Sequence, residues 1–419
     1  MAETRNNSAK KLRLRDPAAR AAGTYVAVLA GLLGLLLGTV VGLNLLLGDR
    51  AQGSPGITQA ASEWQERTHG VTYPPPITRT RPFKSLRLQD RLPGIDGVVL
   101  GSSTAMGITG SMFPPGVRVY NFTSAGNGTA GSIGEAKYIE RHPGKAMKWL
   151  FLVVDWSVGA IYLDAPVQEI DLSPRAQLAD AGRSALPFHS RIVDTLTLPK
   201  VKNLGAILLR IVRSPDRVAA FRQAFLQDAS DEYACREGTP AKDFDVVNRG
   251  ECSGYRYDGS WTYYAQDRLR DSETRALAQA AVAPSSKYSH YLIAARGEPF
   301  RPYLTAIAEV AHALHKRDGR MVAILPPLIP GMEKAFLASP KNGPYLGKTK
   351  AVLQRWARDN GIVVLDAGQA EDYGCVGPEF TDEHHATPDC FAKVMARFWR
   401  DYGRDGLPPG LYRPAVERR

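Results

Sequence analysis

The run WLFLVV at residues 149–154 decides the fold class that we expect for this chain. All six residues are apolar, and polar and apolar positions do not alternate, so the run predicts a strand that is buried on both faces. Strands of this kind are typical of parallel sheets whose two faces are covered by helices. The run therefore predicts a mainly parallel sheet inside an α/β domain.

Other short apolar runs extend this pattern along the chain. They lie at residues 98–100, 117–122, 321–325 and 362–365. Helical patterns at residues 301–316 and 348–359 lead into the last two of these runs. Strands that alternate with helices predict a doubly wound, parallel sheet. Residues 160–300 break the alternation, so we interpret them as an insertion between the third and fourth strands.

The predicted insertion has features of its own. It contains a basic amphipathic stretch at residues 201–227 and a group of aromatic residues, namely Tyr255, Tyr257, Trp261, Tyr263 and Tyr264. Aromatic side chains stack on sugar rings in some proteins and form the core of small subdomains in others. The sequence leaves both interpretations of this group open.

The N-terminal part of the chain predicts a membrane anchor. Residues 1–24 hold six basic residues against two acidic ones, and residues 25–47 then form an apolar run without a charged side chain. A helix of this length crosses the roughly 30 Å hydrocarbon core of a bilayer. A cleaved signal peptide has a shorter apolar region of about 7–15 residues and a small-x-small cleavage site. We therefore expect an uncleaved transmembrane helix, with the N-terminus in the cytoplasm and the rest of the chain outside.

Composition supplies the remaining boundaries and excludes several classes of protein. Residues 48–90 are rich in Gly, Pro, Thr and Arg and predict a linker, followed by a folded domain at residues 91–405 and a tail at residues 406–419. The chain of 419 residues is 44% hydrophobic and 23% charged, which excludes wholesale disorder, a collagen-like fibre and a coiled-coil rod. The formal charge is +11, of which residues 1–24 carry +4. For an exported region with the remaining +7, nucleic acid is not an expected partner.

The four cysteines fall into two local pairs. Cys235 and Cys252 are 17 residues apart, and Cys375 and Cys390 are 15 residues apart. In an oxidising compartment each pair can close a short loop, although four cysteines allow three connectivities. We favour the two local bridges over a zinc site, because neither pair has the C-x-x-C spacing of structural zinc ligands.

The first candidate for chemistry is the stretch Gly101-Ser102-Ser103-Thr104, which follows the first predicted strand. Ligands bind at the carboxyl ends of strands in open α/β sheets. A serine at such a position can expose its hydroxyl beside backbone N–H groups. The same residue types also form ordinary turns and helix caps. The chain has no G-x-G-x-x-G motif and no P-loop motif, which argues against a nucleotide site.

The second candidate is the stretch TDEHHATPD at residues 381–389, after the fifth predicted strand. Asp382 and His385 are three residues apart, so one tight turn brings the carboxylate to the imidazole. A carboxylate in that place holds the ring in one tautomer and leaves its other nitrogen free to accept a proton from serine. A solvated polar loop and a metal site built from Asp382, His384, His385 and Asp389 are the alternatives.

Together the stretches VVLGSSTAMG and TDEHHATPDCF resemble the motifs of the SGNH (GDSL-type) hydrolase and acyltransferase superfamily. The resemblance implies Ser103 as the nucleophile, His385 as the base and Asp382 as the residue that orients it. It also matches the stretch at residues 120–127 to the block that supplies an oxyanion-hole glycine, Gly126. No metal and no cofactor is implied.

The chain departs from the family pattern at two positions. Ser102 replaces the usual aspartate of the first block, and the third strand ends in Val-Val-Asp155-Trp-Ser without the asparagine that donates to the oxyanion. Asn127 is our candidate for the missing donor, beside the N–H groups of Ser103 and Gly126. Both departures resemble those of membrane-anchored SGNH proteins that modify polymers of the bacterial envelope.

The resemblance implies a single-pass protein of the bacterial inner membrane with its main domain in the periplasm or outside the cell. We expect a serine O-acyltransferase or esterase that acts on acyl groups, acetyl above all, of an envelope or extracellular polysaccharide, with a membrane-bound acyl-donor protein as a partner. The alternative is a non-catalytic SGNH-fold protein that binds polysaccharide or serves in assembly. The missing asparagine argues for this alternative.

Overall fold

The computed structural model describes residues 17–47, 55–72, 80–142, 147–181, 192–193, 195–225, 254–263 and 267–405. The chain divides into two units. The smaller unit consists of residues 1–50 and 184–227, and the larger unit consists of residues 51–183 and 228–419.

The larger unit is built on a five-stranded parallel sheet. The strands of the chain are β1 (Gly97–Leu100), β2 (Val119–Asn121), β3 (Trp149–Val153), β4 (Gly254–Tyr255), β5 (Trp261–Thr262), β6 (Arg320–Leu325) and β7 (Val363–Asp366). The order in the main sheet is β2-β1-β3-β6-β7, and every neighbouring pair is parallel. Strands β4 and β5 form a separate antiparallel pair. The five predicted apolar runs thus supply the five strands of the parallel sheet.

Strand β3 occupies the centre of the sheet because its side chains are apolar on both faces. All five of its residues are buried. Its register pairs Leu100 of β1 with Leu152, and Leu152 in turn with Ala323 of β6. Burial of large apolar side chains on this scale is the main source of fold stability. The expectation from the run at residues 149–154 is confirmed.

The helices follow in chain order. They are α1 (Pro17–Leu47), α2 (Pro55–Thr68), α3 (Thr80–Arg91), α4 (Thr129–Arg141), α5 (Pro174–Ala181), α6 (Leu198–Arg213), α7 (Arg217–Phe225), α8 (Asp271–Ala281), α9 (Lys287–Ala294), α10 (Arg301–His315), α11 (Met332–Ala338), α12 (Gly343–Asp359) and α13 (Pro388–Asp405). Helix α10 contacts both β6 and α4. Trp399 of α13 meets the ring of Trp149 edge-on at 5.4 Å between centroids. Helices α10 and α12 also fall where the helical sequence patterns predict them.

The structure corrects the predicted linker at residues 48–90. Helices α2 and α3 lie within it, and Phe83 and Lys84 of α3 are fully buried. Phe83 packs with Ala61, Met106 and Tyr255 in a second small core. The prediction rested on composition, and these few apolar residues are hidden among many polar ones. The three consecutive prolines at residues 74–76 lie outside the described residues.

Some aromatic residues of the predicted insertion are buried in a core, and others are partly exposed. Tyr255 is buried in the small core, where its hydroxyl lies 2.7 Å from that of Thr80. Trp261 and Tyr263 remain partly exposed. The predicted bridge between Cys235 and Cys252 lies outside the described residues, as does Tyr264.

The smaller unit contains one helix that is long and apolar enough to cross a membrane. The apolar span of α1 runs over Ala21–Leu46, with a mean hydropathy of 2.5. Helices α6 and α7 contact α1 within this unit. The buried amide of Asn44 donates a 3.0 Å hydrogen bond to the carbonyl of Thr195, so the contact lies at the C-terminal end of α1.

The disulfide between Cys375 and Cys390 is present, with 5.2 Å between the Cα atoms. Cys375 follows strand β7, and Cys390 lies in the first turn of α13. The bridge thus closes the loop that contains residues 381–389, as the spacing of the two cysteines predicts.

Candidate active site

The chain leaves β1 at a glycine that no other residue can replace without strain. Gly101 has φ +150°, and a Cβ atom there would stand 2.6 Å from the Cβ atom of Val153 on the neighbouring strand. Ser102 follows in an extended conformation and caps a short 3-10 helix, Ser103–Ala105. The hydroxyl of Ser102 accepts a hydrogen bond from the N–H of Thr104, so Ser103 stands at the first position of a capped turn.

Asp382, His385 and Ser103 form one line of hydrogen bonds. His385 Nδ1 lies 2.5 Å from Asp382 Oδ2, and His385 Nε2 lies 2.7 Å from the Oγ atom of Ser103. The carboxylate can only accept, so Nδ1 carries the proton and Nε2 is the acceptor for the serine hydroxyl. Ser103 and His385 are 282 residues apart in sequence and meet through the fold.

The loop that holds the histidine is fixed by its own backbone. Asp382 Oδ1 accepts hydrogen bonds of 2.9 Å from the backbone N–H groups of both His384 and His385. Thr381 N–H donates to the carbonyl of His385, and Phe380 forms an isolated bridge with Ala386. The carboxylate therefore holds its own turn and orients the imidazole at the same time.

The electrostatics of this turn keep Asp382 ionised. Burial by itself raises the pKa of a carboxyl group, but the hydrogen bond from His385 and the positive charge that the two adjacent imidazoles carry when they are protonated outweigh it. The pKa of Asp382 therefore lies well below its usual range. Burial and the neighbouring His385 lower the pKa of His384. At neutral pH the turn thus presents a carboxylate beside a neutral His384.

The positions matched to the oxyanion hole lie at the same edge of the sheet. Ser124 N–H donates a 3.0 Å hydrogen bond to the carbonyl of Gly101, which ties the loop after β2 to the end of β1. Gly126 is exposed and has φ +69°, a conformation that favours glycine. Across the described ranges, the backbone N–H groups of Ser103 and Gly126 make no hydrogen bond to the protein.

The structure does not support Asn127 as an oxyanion donor. Its side-chain N–H groups donate to Ser132 and Glu135, and its backbone N–H donates to Ser124. Its side-chain oxygen accepts from Arg81. Every donor of Asn127 is therefore engaged within the protein, and its amide serves to hold the loop that carries Gly126. Burial raises the pKa of Glu135 to about 7, although the Arg81 guanidinium acts in the opposite direction.

Asp155 follows β3 at the position where the SGNH superfamily, which the sequence resembles, has an asparagine. Its Oδ1 atom accepts from the N–H and the hydroxyl of Ser157, at 2.9 and 2.7 Å. Its Oδ2 atom is buried and has no hydrogen-bond partner in the part of the chain that the structure describes. An unpartnered carboxylate oxygen adds negative charge and no donor, so it cannot take over the role of the missing asparagine amide.

The metal alternative is weakened by the bonds that its ligands already make. Ligand atoms of Asp382, His384 and His385 lie within 4.8 Å of one another. Both ring nitrogens of His385 are engaged with Asp382 and Ser103, and His384 Nδ1 lies 3.1 Å from the hydroxyl of Tyr288. Asp389, the fourth predicted ligand, pairs instead with Arg268. The arrangement fits proton transfer better than metal ligation.

Several residues of the site have no signal in the sequence. Arg81 and Glu135 hold Asn127 from 46 and 8 residues away, and Arg81 lies in the stretch that composition assigns to a linker. Tyr288, from the predicted insertion, bonds to His384. None of these residues belongs to a motif, and only the folded chain brings them to the site.

A comparison of the chain with models of known protein families finds no match, and a comparison with curated proteins finds no match either.

Proposed function

We propose that this chain is a membrane-anchored, exported enzyme with a doubly wound, SGNH-like domain. It moves an acyl group, acetyl above all, to or from a polysaccharide of the bacterial envelope or exterior. The observation that carries the proposal is the hydrogen-bonded line from Asp382 through His385 to Ser103.

In the first half-reaction the Oγ atom of Ser103 attacks the acyl carbonyl carbon. The serine proton passes to His385 Nε2, which lies within hydrogen-bond distance in the resting site. Asp382 stabilises the imidazolium that forms without taking its proton. When the carbonyl re-forms, the bond to the leaving oxygen breaks, and the imidazolium returns the proton to that oxygen. The product is an acyl ester on Ser103.

In the second half-reaction a hydroxyl group resolves the acyl ester. His385 removes the proton of the incoming hydroxyl group, and the oxygen of that hydroxyl attacks the ester carbonyl. The bond to the Oγ atom of Ser103 then breaks, and His385 returns the proton to that oxygen. A sugar hydroxyl gives transfer, whereas water gives hydrolysis. The same residues serve both outcomes, so access of the acceptor decides between acyltransferase and esterase.

The negative charge that develops on the acyl oxygen needs donors that are already in place. The N–H groups of Ser103 and Gly126 are suitable because they are not consumed by hydrogen bonds within the described protein. One oxyanion-hole donor is worth about 10²–10³ in rate. The site therefore operates with two backbone donors and without the third, side-chain donor of the family.

Two further observations support a carbohydrate and a membrane. Trp261 and Tyr263 are partly exposed and have aromatic faces on which sugar rings can stack. Helix α1 is long and apolar enough to anchor the chain in the inner membrane, where a membrane-bound acyl donor would be within reach.

A fluorophosphonate probe on the full-length protein in detergent tests the proposal. Such probes form a stable bond with an activated serine, so we expect labelling of the unmodified chain and none of Ser103→Ala or His385→Ala. Ser102→Ala is the matched control, because it removes the adjacent hydroxyl, and it should still be labelled. A folded, unlabelled wild type would refute the enzyme, and labelling that depends on Ser102 would refute our choice of nucleophile.

An assay with a chromogenic acetyl ester, carried out with and without an oligosaccharide acceptor, then distinguishes the two reactions. An esterase releases acetate at a rate independent of the acceptor, whereas a transferase yields an acetylated oligosaccharide.

The alternative is a non-catalytic protein of the same fold that binds polysaccharide or serves in its assembly. Asp155 favours it, because a buried, unpartnered carboxylate oxygen stands where the family has a donor. This alternative predicts oligosaccharide binding by the wild type together with no probe labelling.

A further inference from the structure

Helix α6 of the smaller unit leaves an apolar stripe uncovered. Leu204 is 2% exposed on the side that faces the unit, whereas Val212 and Leu209 are 59% and 49% exposed. Val201 and Leu208 extend the same uncovered stripe. Leaving large apolar side chains of a four-turn helix in water has a cost that a soluble domain normally avoids.

A row of basic residues borders this stripe. Lys202, Arg210 and Arg213 lie on the adjoining side of the helix at 100° per residue, and α6 contains no acidic residue. Arg210 and Arg213 form no ion pair within the described ranges. An apolar stripe with basic residues along its edge is typical of helices that lie in the interface of a membrane.

The contact with α1 locates α6 along the candidate membrane span. Residues 21–39 of α1 are exposed along the helix, whereas residues 40–45 are partly or fully covered. The hydrogen bond from Asn44 to Thr195 lies in this covered part, close to Leu46, where the apolar span ends. Segment 195–213 therefore meets α1 at the level where a spanning helix leaves the hydrocarbon.

A cavity beside the stripe has a suitable chemistry for a lipid headgroup. Its volume is about 490 Å³, and it is lined by Ala206, Leu209, Arg210, Arg213 and Ser214. Leu209 and Ala206 offer an apolar wall, and the two guanidinium groups can donate to phosphate oxygens. The Ser214 hydroxyl already donates to the carbonyl of Asp216. The combination fits a phosphodiester headgroup with a hydrocarbon chain attached.

We propose that α6 is an interfacial helix that binds anionic phospholipid through Arg210 and Arg213 and immerses Leu209 and Val212 in the exported leaflet. The proposal rests on the membrane anchoring of α1 and does not depend on the chemistry at Ser103. Helix α6 would thus be a second membrane contact of the chain, in addition to the spanning helix α1.

Spin labels on the full-length protein in lipid vesicles test the immersion. Val212→Cys reports α6, Leu35→Cys in α1 is the immersed reference, and Gln354→Cys on the exposed face of α12 is the aqueous reference. The unsubstituted chain, labelled in parallel, gives the background. We expect the label at Val212 to collide with oxygen less often than the label at Leu35 in the middle of the span and more often than the label at Gln354, and to be shielded from a water-soluble nickel chelate. A label at Val212 that behaves like the one at Gln354 would overturn the proposal.

The spin-label experiment distinguishes an error in the proposed anchoring by α1 from an error in the proposed role of α6. If the label at Leu35 is itself accessible to the nickel chelate, α1 does not span the bilayer and the proposed anchoring is wrong. If Leu35 is immersed and Val212 is not, only the interfacial role of α6 is wrong.

Vesicles of phosphatidylcholine with and without phosphatidylglycerol test the headgroup. Contact of spin-labelled phosphatidylglycerol with the protein should exceed that of the phosphatidylcholine analogue, and Arg210→Gln/Arg213→Gln should reduce this preference by about fivefold for each arginine. Arg355→Gln/Arg358→Gln is the matched control, with the same spacing on exposed positions of α12. An unchanged preference in the α6 variant would overturn the assignment of the lipid.

Discussion

Strands β1 and β3 are neighbours in the sheet and end in the same kind of turn, yet the two turns hold different residues. After β1, the hydroxyl of Ser102 accepts from the N–H of Thr104 and lies 2.8 Å from its hydroxyl. After β3, Asp155 makes the same two contacts with Ser157. In each turn a side chain caps the residue two positions later, so one residue between them is held in place.

The residue that is held decides what each turn does. After β1 it is Ser103, which faces His385. After β3 it is Trp156, which is 1% exposed and packs edge-on against Phe336 at 5.4 Å between ring centroids. The same local geometry thus presents a candidate nucleophile in one place and closes the core in the other. In both places the turn fixes the backbone, and the neighbouring side chain, His385 or Phe336, determines the role of the residue that is held.

The largest expected effect comes from disconnecting Ser103 from its carboxylate. Asp382→Asn keeps an oxygen for the two backbone N–H groups but removes the charge that fixes the His385 tautomer. We expect the rate of fluorophosphonate labelling to fall by about 10⁴. Asp389→Asn is the control, since this carboxylate pairs with Arg268 and should leave the rate unchanged. Equal rates for the two variants would show that the carboxylate does not act on His385.

Removing the residue held after β3 should affect stability instead. Trp156→Ala deletes a fully buried ring, so we expect a loss of about 3–5 kcal/mol in the free energy of unfolding. Chemical denaturation of the full-length protein in detergent measures it. Trp156→Phe keeps the contact with Phe336 and removes an indole N–H that has no partner among the described residues, so its cost should be much smaller. A cost below about 1 kcal/mol for Trp156→Ala would contradict the packing role.

The strands could be predicted from the sequence because each has a local signal. The same is true of the hydrogen-bonded residues Ser103, Asp382 and His385. Continuous apolar runs indicate buried strands, and Asp382 and His385 have the spacing of one turn. The linker could not be distinguished from α2 and α3 by composition, because the residues that bury Phe83 lie far from it in the sequence. The role of Asn127 depends on Arg81 and Glu135, and no local pattern encodes these contacts.

The end of β2 has a third turn of the same kind, and a buried amine holds it. Asn121 caps Thr123, and Lys84 Nζ donates to the backbone carbonyls of both residues. Burial lowers the pKa of Lys84 to about 7, although the charges of Asp258 and Glu135 act in the opposite direction. Between this pKa and the ordinary value of 10.5, the unfolded chain binds a proton that the folded chain has lost. Raising the pH in this range therefore stabilises the folded chain.

The pH dependence of stability tests this account of Lys84. Relative to Lys84→Met, the free energy of unfolding of the wild type should rise by up to about 1.4 kcal/mol per pH unit between pH 7 and pH 9. Denaturation of both proteins in detergent across this range measures the difference. A difference that stays constant with pH would show that the amine keeps its proton in the folded chain.

A smaller effect should follow from changing the cap of the β3 turn. Asp155→Asn keeps an oxygen for Ser157, removes a negative charge near the site and adds an N–H donor in place of the unpartnered oxygen. Ser103 and Asp155 are each three residues beyond the paired Leu100 and Leu152, so we expect this donor to act on the developing oxyanion. Labelling of Ser103 should accelerate by about tenfold. An unchanged or slower rate would show that this side chain does not face the reacting group.

The smallest expected effect concerns the cap of the β1 turn itself. Ser102→Ala removes the acceptor for the N–H of Thr104, and loss of such a cap costs about 1 kcal/mol. Ser102→Thr keeps the hydroxyl and should restore the melting temperature. Because Ser103 is oriented by His385 as well as by the turn, labelling in Ser102→Ala should slow by only a few-fold. If labelling instead falls as far as in Asp382→Asn, the cap rather than the imidazole positions Ser103, and the turns after β1 and β3 differ less than their held residues suggest.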